Sequence, residues 1–145
     1  MGRIKKFVFF EHTADVLFEA YGKTLKECIE NAAAALFEVA AKPKLLKKTR
    51  KAAVRQKANN LEELIVFLLD KLVGESDSRQ VFWKEFKVKK IEEDKTGFKT
   101  EGIAFGSPYF PEAAGTHVKA VTMHRAKVWK DEKKKEWTAR IVLDI

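Results

Sequence analysis

A single cysteine, Cys28, excludes an internal disulfide and suits a reducing compartment. No apolar run approaches the roughly 18 residues of a membrane span. The first residues lack the apolar stretch of a secretory leader. These absences predict a soluble, cytoplasmic protein with no membrane partner. Three prolines and seven glycines interrupt 145 residues, and no repeat or low-complexity linker divides them. One domain over residues 1–145 is therefore expected, large enough to bury a core without staples. The short motifs of independent catalysis are also missing: no Gly-rich phosphate loop, no CxxC or HxxxH metal pair and no serine elbow. Cys28 falls on the apolar stripe of a predicted helix, and His12, His117 and His124 all lie on other elements. It reads as a small core residue, and the chain reads as something other than a self-sufficient enzyme.

What the chain has in excess is positive charge. Twenty-nine Lys and Arg outnumber 21 Asp and Glu, giving +8 and a pI near 9.5. The cations cluster in "KPKLLKKTRK" (42–51), "KVKK" (87–90) and "KKK" (133–135). One reading is a patch for nucleic acid or an acidic protein surface. The other is the Lys/Glu-rich surface of heat-adapted proteins. Acidic residues are interspersed and no aromatic is threaded through the lysine runs, which favours the second.

The hydropathy period changes along the chain. Residues 4–10 and 16–21 read as strands. Thr24 with Glu27 forms a capping box, after which Leu25, Cys28, Ile29, Ala32, Leu36 and Val39 recur at helical spacing. Residues 49–58 alternate like an edge strand. Asn60 with Glu63 repeats the cap, Leu61, Leu64, Ile65, Leu68, Leu69 and Leu72 line a second helix, and Gly74 is placed to end it. Residues 81–91 and 98–106 flank the hairpin turn "DKTG". "GSPYFPEAAGT" (106–116) reads as a loop, and 117–130 pairs with 136–144 across "DEKKK". The expected class is α+β: a largely antiparallel sheet with two amphipathic helices on one face.

Against this frame a few polar residues are out of place. "FFEHTADVLFEA" (9–20) inserts Glu11, His12, Thr13 and Asp15 between two apolar runs with no glycine or proline. Asp144 sits in "ARIVLDI", and Ile145 follows with its α-carboxylate one residue away. An apolar strand stopping abruptly suggests a held terminus. If Asp15 came alongside, three hard oxygen donors would converge, a set suited to Ca²⁺ or Mg²⁺ rather than zinc. The competing reading makes Asp15 a turn cap and pairs Asp144 with a surface lysine. Lys119, in "HVKAVTMH", is expected on one strand face with His117, Val121 and Met123. There it could neutralise carboxylates, hold a phosphate, or simply snorkel. His124 reads as a satisfied strand residue, and His12 as a turn-ordering group.

"EHTADVLFEAYGKTLKECIENAAAALFEV", "NLEELIVFLLDKLV", "VKAVTMH" and the closing "TARIVLDI" together resemble the archease family, in the same order and over nearly the whole chain. The resemblance implies an accessory protein of the RtcB-type RNA ligase, which joins tRNA halves using GTP and divalent metal. Such a protein promotes guanylylation of the ligase histidine and multiple turnover. By the same resemblance Asp15, Asp144 and the Ile145 carboxylate hold a divalent metal, with calcium preferred and Mg or Mn as alternatives. Lys119 would act in ligase activation. The alternative implied role is a chaperone-like or RNA-binding partner of tRNA-modifying enzymes such as a methyltransferase, in contact with tRNA through Lys42–Lys51. A metal-dependent hydrolase is a third reading, opposed by the lack of an evident general base. His117 stands where relatives often carry an acid, Met123 where they carry an aromatic, and the loop at 109–116 has fewer charges.

Overall fold

The structure, a computed structural model, describes residues 5–10 and 14–145. Seven strands and two helices follow in the order β1 (Phe7–Phe10), β2 (Asp15–Gly22), α1 (Leu25–Ala40), β3 (Arg50–Ala58), α2 (Leu61–Arg79), β4 (Val81–Asp94), β5 (Gly97–Pro108), β6 (Ala120–Asp131) and β7 (Glu136–Asp144). The α+β class expected from the sequence is what forms. The strands divide between two antiparallel sheets, a four-stranded one ordered β1-β2-β7-β6 and a three-stranded one ordered β3-β5-β4. Helix α1 packs on β2, β7 and β4, and α2 on β6 and β3, so the helices bridge both sheets over one continuous core.

Local chemistry explains each element. The Thr24 hydroxyl accepts from the Glu27 amide at 3.0 Å, and the Glu27 carboxylate returns to the Lys23 amide at 3.1 Å. Asn60 and Glu63 repeat the arrangement on α2, with the Glu63 carboxylate taking the Asn59 amide. Each exchange satisfies two N–H groups near a helix start. Cys28, Ile29, Ala32, Leu36 and Phe37 turn inward from α1, and Leu64, Ile65, Leu68, Leu69 and Leu72 from α2. Burial pushes the Cys28 thiol up to about 12, so it stays protonated as a core residue. Gly22 has no room for a side chain, because a Cβ would lie 2.3 Å from the Cys28 amide nitrogen.

The fold departs from the expected pattern at four places. Helix α2 runs through Gly74 and ends at Gln80, whose left-handed φ of 54° closes it. Gly74 lies on an exposed turn, where the weak helix penalty of one glycine is outweighed by the packed leucines. Strand β6 begins at Ala120 rather than 117, because the 114–116 segment is tied elsewhere: Ala41 bridges Ala114, and the Thr116 amide bonds the Val39 carbonyl. Its ladder then skips from Thr122↔Val142 to Lys127↔Arg140, so residues 123–126 bulge out. The bulge breaks the alternation expected to align Met123 with Val121. Met123 is exposed and Val121 buried. His124, expected as an ordinary strand residue, is exposed on the bulge.

Candidate functional site

The β2–β7 ladder decides which polar residues meet. Its register pairs Val16 with Leu143, Phe18 with Ile141 and Ala20 with Ala139, and of these Phe18, Ala20, Ala139, Ile141 and Leu143 are fully buried against the helices. Strand alternation sends Asp15, Leu17, Glu19, Arg140, Val142 and Asp144 to the opposite face. Asp15 and Asp144 are direct partners at the end of that ladder. Directly opposed side chains on one face have Cβ atoms about 5 Å apart, where like charges destabilise the sheet. Two residues 129 positions apart in sequence are thus neighbours, and both are half-buried.

What surrounds them sharpens the problem. Two cations share this face: Arg140 is committed to Glu19 through two bonds of 3.1 and 2.9 Å, with its guanidinium 5.3 Å from the Trp129 ring centre, and its register partner Lys127 lies over the same ring at 5.3 Å. Among the described residues, neither aspartate side chain has a hydrogen bond or an ion pair. Ile145, next to Asp144, packs its side chain on the core. Lys119 precedes β6, and its amide bonds the Asp144 carbonyl at 2.8 Å. Its ammonium is exposed and makes no ion pair with either aspartate. Lys119 is therefore tethered to the site through its backbone and leaves its charge free. Glu11, His12 and Thr13 lie outside the described residues.

The donor set consists of hard carboxylate oxygens, which fits Ca²⁺ or Mg²⁺ and not a thiolate- or imidazole-preferring metal. Among the described residues no group of three or more His, Cys, Asp or Glu side chains could hold a metal. Among the described residues, Asp15 and Asp144 supply two facing carboxylates, one short of such a group.

Other polar groups are placed apart from these aspartates. His117 is exposed, with its Nε2 3.9 Å from Asp77 Oδ1. It lies at an apolar hollow of about 230 Å³ lined by Phe37, Trp83, Tyr109 and Val118. Two helix acids also reach backbone amides of β6, Asp70 to Val121 beside the site and Glu62 to Val128 further along the strand, both at 2.9 Å. Sequence reading missed them, because an exposed-face acid on a helix carries no signal of its backbone partner. No helix among the described residues is long and apolar enough to cross a membrane.

Comparison with known proteins gives a consistent result. The family model described as the Archease protein family (MTH1598/TM1083) matches residues 7–145. A protein archease of Methanosarcina acetivorans is 37% identical over 144 residues, covering 97% of each chain. The Pyrococcus abyssi archease is 33% identical over 98% of this chain and 100% of its own. The solution structure of Methanobacterium thermoautotrophicum protein 1598 superposes with a TM-score of 0.84 at 34% identity, over 97% of this chain and 99% of that one. The crystal structure of a Thermotoga maritima archease, described as a possible chaperone, matches in fold with a TM-score of 0.60 at 21% identity, over 94% of both chains.

Proposed function

This chain belongs to the archease family, and on that premise we propose that it is a non-catalytic accessory factor of an RtcB-type RNA ligase in tRNA splicing. It promotes guanylylation of the ligase histidine and lets the ligase turn over repeatedly, in the cytoplasm. The observation that supports this role is the direct pairing of Asp15 with Asp144 on the sheet face away from the helices, with no compensating cation among the described residues. Such an arrangement is unfavourable alone and becomes favourable once a cation joins it.

The residues divide the work as follows. Asp15, Asp144 and the Ile145 carboxylate would hold a divalent ion, calcium by preference and Mg or Mn otherwise. When bound, that ion supplies positive charge toward a phosphoryl centre. The sheet ladder fixes the spacing of the two aspartates, so little ordering is left to do on binding. Lys119, anchored by its amide and free at its ammonium, presents a mobile point charge to a partner's phosphate.

A ligation time course with the cognate ligase and RNA in excess tests this. Wild type should raise the number of turnovers, while Asp15→Ala and Asp144→Ala should lose most of the stimulation. Lys119→Ala should lose part of it, and a C-terminal extension should impair it by displacing the Ile145 carboxylate. No stimulation by wild type, or full stimulation by both aspartate variants, would sink the proposal.

A second reading, a chaperone-like partner of a tRNA-modifying enzyme such as a methyltransferase, is favoured by Phe9 and Phe10. They stand 40% and 42% exposed on the edge strand β1. It predicts suppression of client aggregation that survives Asp144→Ala and is lost in Phe10→Ser.

A further inference from the structure

The three-stranded sheet has one face on the core and one in solvent, and the open face is unlike the rest of the surface. Register places Lys51, Phe105 and Glu85 in one row, then Ala53, Ile103 and Lys87. Arg55, Glu101 and Lys90 follow, then Lys57, Lys99 and Glu92. Lys48 reaches over from the preceding loop, 5.8 Å from the Phe105 ring centre and paired with Glu85. Seven cations (Lys48, Lys51, Arg55, Lys57, Lys87, Lys90, Lys99) against three carboxylates leave +4, half the +8 of the whole chain.

Two features set this face apart from a merely solvated one. The first is a like-charge pair: Lys57 stands directly opposite Lys99, while the row beside it pairs Arg55 with Glu101. Stability alone favours opposite charges at both rows. Glu92, 3.6 Å from Lys99 on the far side, offsets one of the two ammonium groups and leaves Lys57 without a carboxylate within ion-pair distance among the described residues. Around this pair, where the open face meets the outer margin of β3, a shallow cleft of about 360 Å³ is lined by Arg55, Gln56, Lys57, Lys71 and Lys99, with no acid in the wall; Lys71 comes from α2, and its ammonium donates to the Arg55 carbonyl at 2.6 Å. The second feature is apolar. Phe105 and Ile103 lie two residues apart on the central strand, both half-buried, with Phe105 between Lys51 and Glu85 and beneath the Lys48 ammonium.

We infer that the open face of the β3-β5-β4 sheet binds single-stranded RNA, seating phosphates on Lys57 and Lys99 at the margin of β3 and stacking a base on Phe105. Excess positive charge selects a polyanion, and an aromatic platform beside the cations selects one that carries bases. An acidic protein surface would use the charge and leave Phe105 without a role. The choice of RNA over DNA rests on the proposed role beside an RNA ligase. The face is distinct from the aspartate pair, which lies on the other sheet.

Fluorescence anisotropy with a labelled 12-nucleotide single-stranded RNA tests the inference on the full chain, across a salt series. Lys57→Glu is a benign variant for folding, because it turns the Lys57/Lys99 repulsion into an ion pair; melting curves confirm that. Lys57→Glu and Lys99→Glu should each weaken binding about tenfold and flatten the log–log salt slope by about 0.7 for each phosphate no longer held. Phe105→Ala should weaken binding at least about fivefold with the slope unchanged. Asp144→Ala should bind RNA like wild type while failing to stimulate the ligase, so the two proposals fail separately. Wild-type affinity in all three sheet variants would overturn the inference, and so would displacement of the RNA by poly-glutamate at equal phosphate and carboxylate concentration.

Discussion

Replacing one aspartate of the facing pair with its neutral isostere should change stability in opposite directions with and without metal. Two unit charges about 5 Å apart repel by about 0.8 kcal/mol at the permittivity of water and about 3 kcal/mol at an effective value of 20. Asp15 and Asp144 are both half-buried, so solvent screening keeps the repulsion near the lower figure, about 1 kcal/mol. In EDTA, Asp15→Asn or Asp144→Asn should therefore stabilise the protein, raising Tm by about 2–4 °C at this chain length. With calcium at about 100 times its Kd, wild type should gain about 2.7 kcal/mol through linkage, or roughly 5–10 °C. The variants should gain little, so the order of the melting temperatures inverts. Differential scanning fluorimetry of the three proteins over a calcium titration reads this directly. If both variants melt below wild type in EDTA, and wild type is insensitive to Ca²⁺, Mg²⁺ and Mn²⁺, the carboxylates are structural and the metal reading is wrong.

Two further outcomes concern the scaffold. Gly74→Ala should stabilise by about 0.5–1 kcal/mol, since Gly74 is helical and a Cβ there meets nothing within 4 Å; a lower Tm would contradict the placement of this turn in α2. For pH, the Lys48 ammonium holds the Glu85 carboxyl below its ordinary 4.5, Lys90 does the same for Glu92, and the Thr96 hydroxyl and amide lower Asp94 below 3.8. Groups with depressed folded values stabilise in their ionised form, so their contribution is whole above about pH 4.5 and is lost as pH falls below it. Lys90, raised above 10.5 by Glu92 and Glu101, supports the sheet while those carboxylates are ionised and loses its contribution as pH rises past its own value. A low-salt Tm profile should be level between those limits, and a fall between pH 5 and 7 would point to other groups.

Local signals in the sequence were faithful where they involve neighbours. The two capping boxes, the "DKTG" hairpin and the apolar stripes of both helices each depend on residues within a few positions, and each appears as read. Gly74 was misleading because a helix terminus is set by competition with packing, and the leucines up to Leu72 are joined by Val73 in holding the helix past it. The division into two sheets had no local signature, since it depends on β7 pairing β2 across more than a hundred residues. The candidate aspartates were visible as polar intrusions, but their meeting is a fact of register. The same holds for Phe105: no aromatic interrupts the lysine runs in sequence, and β5 pairing alone brings one between Lys51 and Glu85.

The helix carboxylates that reach strand amides have a consequence for self-association. Strands β4 and β6 are outer strands of their sheets, and such strands offer unpaired N–H groups to any passing chain. Glu30 on α1 accepts from Val88 of β4 at 2.9 Å, and Asp70 and Glu62 on α2 accept from Val121 and Val128 of β6. The two helices thus shield the margins of the sheets as well as covering the core. Undocking α2 would uncover a ready template for strand addition at β6, whose first residue, Ala120, pairs with Asp144. Strand addition at β6 and loss of the aspartate geometry would then be a single event.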